Sequence, residues 1–356
     1  PDYRYHTDVA VGTGPVDGVL DGDLYLIGGG DPLLSSDWYP TSNLDVFAVI
    51  NPTSFDELAD QVVAAGITRI EGDVIGDGTR YDDEYYAPGW GLGEAGLEAG
   101  PYDALMANDS RVFDDDLRAG DPVRAAAREF IILLEQRGVE VAGEPVNGQA
   151  PANTERIGRV RSAPMTAIVE EMLQTSDNNT AELLVKEIGY ADPEPGTRPA
   201  GLRVMRQTLG QWGVDVDGLV LTDGSGLSED NLLTCRAVLD VLQLHDVDGP
   251  IGSVLPVLGE SGTLRSVVLT DEVLAGRLRG KTGTQDNPPF NEDPPAVKAL
   301  SGYLPIDGGG AIEYSLILNG PTISDQSEYR PIWHAFAEAL ATYPSGPSPA
   351  EIGLLP

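Results

Sequence analysis

Lys281-Thr282-Gly283-Thr284 closes an apolar run, Val273–Leu278, and is followed by Ala299-Leu300-Ser301-Gly302-Tyr303-Leu304. The pattern predicts strands over 277–284, 299–305 and 312–319. Upstream, Ser176-Asp177-Asn178 falls between two amphipathic stretches that read as helices over 165–173 and 179–188. The residue types suit one kind of chemistry. Glycine at 283 lets an extended peptide lie against the strand edge as an added strand. Lys281 supplies a fixed positive charge for a carboxylate, and the hydroxyls of Thr282 and Thr284 can donate to that same carboxylate. Ser176 can pass a proton towards a leaving group, while Asn178 can donate and accept hydrogen bonds across a cleft. A lone Lys-Thr-Gly is a weak signal, and its plain alternative is a surface lysine at a strand end. The setting on a strand gives it weight, as does the scarcity of lysine: Lys186, Lys281 and Lys298 are the only ones in the chain.

Outward from these motifs, the first 35 residues read as short strands joined by glycine turns. Asp21-Gly22-Asp23-Leu24-Tyr25-Leu26-Ile27 runs into Gly28-Gly29-Gly30-Asp31-Pro32, where the immediate Asp-Pro and the missing helix argue for a tight turn over a nucleotide loop. Ser54-Phe55-Asp56-Glu57 fits a capping box before the apolar positions 55, 58, 62 and 63, with Gly66 as the stop. A strand is expected around 70–75, and 80–110 reads as loop. Composition changes near Asn108. Asp121-Pro122 then opens a helix closing at Gly138. Further helices are expected near 199–212, 234–245 and 329–342, with strands near 139–142 and 157–162. The proline-rich segment 286–295 cannot be regular, and 344–356 reads as a loose tail.

The chain has 356 residues, room for two or three domains. Its 57 acidic residues against 22 Lys and Arg give a formal charge of −35. That surplus repels phosphate, which makes nucleic acid and anionic lipid poor partners. It suits solubility in concentrated salt, and a saline habitat or a compositional bias of the lineage accounts for it. Cys235 is the only cysteine, so no internal disulfide forms; it is expected to be a small buried apolar residue. With His6, His245 and His334 it cannot build a conventional zinc site, and neither metal nor cofactor is expected. Asp215-Val216-Asp217-Gly218 fails the calcium-loop pattern, and Asp114-Asp115-Asp116 and Asp82-Asp83-Glu84 read as solvated surface. No apolar run reaches 18 residues, so no transmembrane helix is expected.

Further landmarks accompany the two motifs in order. They are Pro1-Asp2-Tyr3-Arg4-Tyr5-His6-Thr7, the segment 22–32, Asn179 with Ala181-Glu182-Leu183-Leu184, Asp223-Gly224-Ser225-Gly226-Leu227-Ser228, Leu255-Pro256-Val257 with Gly262-Thr263-Leu264, and Ser301-Gly302-Tyr303. With them the chain resembles the class C low-molecular-mass penicillin-binding proteins, which are D-alanyl-D-alanine carboxypeptidases and endopeptidases. The resemblance implies an α+β fold. A serine β-lactamase/transpeptidase-like domain, an antiparallel sheet flanked by helices, carries a family-specific inserted domain. Residues 1–108 match that insertion and 109–343 the remaining catalytic domain, and a further nested β-rich piece expected after Val112 is missing. The implied activity is serine-type removal of D-Ala from peptidoglycan stem peptides through an acyl-enzyme, outside the cytoplasm, with β-lactams as inhibitors. In it Ser176, Asn178 and Lys281 are catalytic and Thr282, Gly283 and Thr284 bind substrate.

The family's nucleophile is the serine of Ser-x-x-Lys. The positions three before the lysines hold Leu183, Leu278 and Pro295, so the motif is not in these 356 residues. In the family it lies shortly upstream of the segment matching Pro1–Thr7. The expectation is therefore an N-terminally truncated copy, inactive as written, with a natural pseudoenzyme as the alternative. Gln285 and the acidic proline-rich stretch after it depart from the family at the cleft rim. A non-catalytic peptidoglycan-binding scaffold and a β-lactamase or esterase on a related fold stay open.

Overall fold

The computed structural model describes residues 2–39, 49–91, 94–115, 117–191, 196–267, 274–285, 296–320, 323 and 326–343. The expectations for 286–295 and for the tail at 344–356 lie outside them. The chain forms two compact units, one of Pro1–Met172, Asp177–Gln207 and Leu221–Asn231, the other of Leu173–Ser176, Thr208–Val220 and Leu232–Pro356.

In the first unit the elements run β1 (His6–Val11), β2 (Val19–Leu20), β3 (Leu24–Ile27), β4 (Leu34–Ser35), β5 (Thr53–Ser54), α1 (Phe55–Ala64), β6 (Arg69–Ile70) and β7 (Val74–Asp77). They continue with α2 (Pro122–Gln136), β8 (Glu140–Val141), β9 (Pro145–Asn147) and β10 (Glu155–Arg161). A 5-stranded sheet has the order β10-β1-β3-β7-β9, with β1 antiparallel to both neighbours and β3, β7 and β9 parallel. Both covering helices start where their caps predict. Ser54 accepts from the Glu57 N–H at 3.0 Å, and Asp121 accepts from the Arg124 N–H at 2.9 Å with Pro122 at the first helical position. Their apolar faces meet over the sheet, with the Phe55 and Phe130 rings 5.0 Å apart and both side chains fully buried among Leu26, Leu58, Val74 and Leu134. Burying one such ring contributes about 2–3 kcal/mol. The triple glycine after β3 is less a turn than a close approach: a Cβ on Gly29 would sit 2.0 Å from the His6 carbonyl oxygen.

Helix α3 (Met165–Thr175) runs from the first unit into the second, and α4 (Asn178–Ala191) lies in the first. Fully buried Lys186 of α4 donates to the carbonyls of Asp82 and Glu84, at 2.9 and 2.8 Å, so it organises a loop and has no catalytic setting. Glu182 of α4 accepts from the N–H groups of Gly224 and Ser225 at 3.0 and 2.7 Å. The loop 223–228 winds around the Asp223 carboxylate, which accepts from Gly226, Ser228, Asn231 and the Trp90 indole. These landmarks of the sequence are thus scaffold.

After α5 (Arg198–Gln211), the second unit holds α6 (Cys235–Gln243), β11 (Arg279–Gln285), β12 (Ala296–Pro305), β13 (Ala311–Gly320) and α7 (Gln326–Ala341). The three strands form an antiparallel sheet in sequence order, leaving β11 at an edge. Its core gathers Leu264, Leu278, Leu300 and Tyr314 against Trp333 and Ala337 of α7. Gly302 stands opposite Gly280, and a Cβ there would meet the Arg279 carbonyl oxygen at 2.1 Å. The glycine of Ser301-Gly302-Tyr303 therefore lets β11 close on β12, while the Tyr303 hydroxyl ties β12 to the Leu242 carbonyl at 2.7 Å. Cys235 is half-buried at the first position of α6, where Thr234 caps the Ala237 N–H, and is not the core residue expected. Among the described residues no helix is long and apolar enough to cross a membrane, and no group of three or more His, Cys, Asp and Glu could hold a metal ion.

Candidate active site

The site in the second unit is built from an edge strand and a helix end. The N-terminal part of β11 is covered on its outer side: the Gly280 N–H donates to the Pro256 carbonyl at 2.9 Å, and the Leu258 N–H to the Leu278 carbonyl at 2.9 Å. Gly280 therefore points its backbone groups away from β12. By the two-residue alternation of a strand, Thr282 and Thr284 do the same. Beyond Gly280 no backbone group of the described residues pairs with this edge, whose Thr282 carbonyl is taken by the Lys281 ammonium, and Gly283 adds no side chain to it.

Ser176 follows the last residue of α3 with φ of 60°, a left-handed conformation usually given to glycine. The Asp177 N–H returns to the Met172 carbonyl at 3.2 Å, a helix-ending arrangement that fixes Ser176 as the turning residue. A side chain there costs about 1 kcal/mol or more over glycine. What it supplies is a hydroxyl in reach of the strand: Lys281 Nζ donates to Ser176 Oγ at 2.6 Å and to the Thr282 carbonyl at 2.7 Å.

The electrostatics of Lys281 are unusual for so acidic a chain. It is half-buried, and among the described residues no carboxylate pairs with it. Burial alone lowers its ammonium pKa to about 8. Near neutral pH it is still mostly protonated, a desolvated cation with two neutral partners. An anionic ligand entering beside it would find a charge that protein carboxylates have not already neutralised.

The other predicted residues are placed as follows. The Thr282 hydroxyl bonds to that of Thr263 at 2.9 Å, in the 3-10 turn Gly262–Leu264. Thr284, opposite Lys298 in the register, accepts from Lys298 Nζ at 3.1 Å. Asn178 belongs to the first unit, where its side-chain amide donates to the Glu98 carbonyl at 3.2 Å. The structure thus joins Ser176 to Lys281 directly. Sequence reading gave Asp177 no role. It caps α4, accepting from the Thr180 N–H, and its buried carboxyl rises to about 6 through desolvation and then the nearby Asp109 charge. An Asp two residues before the helix predicted over 179–188 was the available signal. Thr263 and Lys298 were legible only as neighbours in a landmark and a strand.

Comparison with known proteins gives a consistent picture. A sequence model of the D-Ala-D-Ala carboxypeptidase 3 (S13) family matches residues 1–112 and 103–343. The chain is 28% identical over 411 aligned positions to the D-alanyl-D-alanine carboxypeptidase of Actinomadura sp. (strain R39), covering 90% of this chain and 70% of that protein. It is 29% identical over 323 positions to the carboxypeptidase DacB of Mycolicibacterium smegmatis, covering 85% of this chain and 65% of the relative. The match thus spans about two thirds of these relatives' lengths. The crystal structure of penicillin binding protein 4 (dacB) from Haemophilus influenzae superposes with a TM-score of 0.77 at 18% identity, covering 96% of this chain and 87% of that one. The same protein complexed with a β-lactam gives 0.70. The fold is therefore that of a penicillin-binding protein, as the motifs imply.

Proposed function

The chain belongs to the D-Ala-D-Ala carboxypeptidase (S13) family, and from that premise we propose that the protein it represents removes the terminal D-Ala from peptidoglycan stem peptides outside the cytoplasm. The single observation that carries this reading to the residues is Lys281: a half-buried cation without a carboxylate partner among the described residues, beside a strand edge that no described backbone group pairs with beyond Gly280, and in contact with Ser176.

On this reading the substrate lies along β11 as an added strand, and its terminal carboxylate is held by Lys281 with the hydroxyls of Thr282 and Thr284. The N–H of Thr284 faces the available edge and serves as one oxyanion donor. A serine nucleophile attacks the D-Ala-D-Ala carbonyl, D-Ala departs with a proton relayed through Ser176, and water releases the acyl group. Asn178 positions the substrate amide. The same serine, when free, would be acylated by β-lactams and by D-Ala-linked cross-links, which it would thereby open. We assign the inserted domain to 1–108, the catalytic domain to 109–343 and the tail to 344–356.

The test uses the natural full-length protein with an acylated L-Lys-D-Ala-D-Ala peptide and fluorescent penicillin. The expected result is stoichiometric release of one D-Ala per peptide and a long-lived penicillin adduct that blocks it. Peptide binding without turnover would replace the enzyme by a scaffold, and rapid loss of the adduct would point to a β-lactamase.

A further inference from the structure

Three consecutive residues of the first unit, Asn108, Asp109 and Ser110, have φ of 53°, 52° and 63°. Side chains are tolerated in this region singly, at about 1–2 kcal/mol each, and a run of three is rare. The turn is closed by hydrogen bonds from the Ser110 N–H to Ala107 and from the Arg111 N–H to Asn108, at 2.9 and 3.0 Å. Its outer residues anchor it. The buried Asn108 amide accepts from the Ser36 N–H at 2.7 Å and donates to Ser36 Oγ at 3.0 Å, and that hydroxyl donates to Glu129 at 2.8 Å. Fully buried Ser110 donates to the Pro101 carbonyl at 2.7 Å.

The middle residue is aimed elsewhere. Asp109 Oδ2 accepts from the Tyr39 hydroxyl at 2.7 Å and Oδ1 from the Asn179 side-chain amide at 2.9 Å, with Arg118 at 3.8 Å. Asn179 in turn accepts from the Gly100 N–H at 2.6 Å. Asn179 is the second residue of α4, and Asn178 is the first. The charge of Asp109 is also felt by Asp177, the cap of the same helix. A strained, doubly anchored turn thus delivers one carboxylate to the start of α4.

We propose that Asp109 is a positioning residue for Asn178: the left-handed turn holds its carboxylate between Tyr39 and Asn179 and so fixes the helical turn on which Asn178 stands. The role of Asn178 in substrate positioning is taken from the preceding reading; the clamp itself is not.

Two substitutions separate the clamp from the fold. Asp109→Gly removes the carboxylate and relieves the backbone strain together, whereas Asp109→Asn tolerates the same backbone and keeps an acceptor for Asn179. Hydrogen exchange read by mass spectrometry on this chain should show the Thr180–Leu183 amides exchanging about tenfold faster in Asp109→Gly, with α2 unchanged, and within about threefold of the parent in Asp109→Asn. Equal exchange in parent and Asp109→Gly overturns the clamp. Should Asp109→Gly not fold, Asp109→Ala is read against Asp109→Asn by the same criterion. In the full-length protein, Asp109→Gly should lower kcat/KM for D-Ala release about tenfold, and the loss should vanish in an Asn178→Ala background. Additive losses overturn the link to Asn178. A parent without D-Ala release removes the functional reading, and the exchange experiment still decides the clamp.

Discussion

Replacing Lys281 should separate activity from stability in opposite directions. Its pKa falls from 10.5 to about 8 because the ammonium is buried, which corresponds to about 3 kcal/mol of penalty on the charged form. The folded pKa lies below the unfolded one, so the penalty is present in full below pH 8. It fades as pH rises from 8 towards 10.5. At pH 7 a neutral side chain of similar length avoids it and forfeits two hydrogen bonds, each contributing about 1 kcal/mol. Lys281→Met should therefore match the parent in stability or exceed it by about 1 kcal/mol. Activity should move the other way. A cation about 4 Å from a substrate carboxylate at an effective dielectric of 20 contributes about 4 kcal/mol. Allowing for what the hydroxyls of Thr282 and Thr284 retain, about 3 kcal/mol is lost, so Lys281→Met and Lys281→Ala should each lower kcat/KM about 10²-fold. Lys281→Arg should recover part of this, since the guanidinium is larger and planar. The assays are urea denaturation at pH 7 and D-Ala release by the full-length protein. A variant destabilised by more than about 1 kcal/mol yet still active would make Lys281 a structural residue and refute the carboxylate-binding argument.

Ser176→Gly relieves the 60° φ and should raise stability by about 0.5–1 kcal/mol in denaturant titration while D-Ala release falls at least about tenfold; unchanged turnover would remove Ser176 from proton transfer. Burial lifts the carboxyl of Asp103 to about 8, that of Glu182 to about 7, and those of Asp31 and Asp177 to about 6. The folded chain therefore holds protons that the unfolded chain has lost, and unfolding free energy should increase as pH drops from 8 to about 5; a decrease over that window would contradict these burials. Screening of the −35 charge should raise the melting temperature from dilute buffer to molar NaCl, and a flat or falling curve would remove the saline reading.

The parts of the fold legible in the sequence are those set by local chemistry. Ser54 and Asp121 cap helices because a short polar side chain needs only its own next turn, and β11 is marked by the apolar run ahead of it. Strands β5 and β9 are two and three residues long, too short to show alternation, and pair only through distant partners. The stretch 80–110 lacks periodicity, as expected of a loop, yet Tyr81, Tyr102 and Leu105 are buried in it. Its order comes from contacts remote in sequence. At the site, the Ser176–Lys281 contact follows from motif order, whereas the Asn108–Ser110 turn depends on Ser36, Tyr39, Glu129 and Asn179, which no local pattern links.

The edge of β11, which no described backbone group pairs with beyond Gly280, has a cost unrelated to catalysis. On the proposed reading this strand receives a peptide and so cannot carry the usual protections of an edge, and Gly283 at its centre makes it flatter and more permissive. Any extended segment, including one from a second molecule, can read the same backbone groups. Sequence selectivity cannot prevent such encounters, because main-chain hydrogen bonds are blind to side chains. Long-range repulsion between copies that each carry −35 can, and it acts before contact. Strong acidity would then serve as colloidal insurance for an unguarded strand, whatever the salinity in which the protein works.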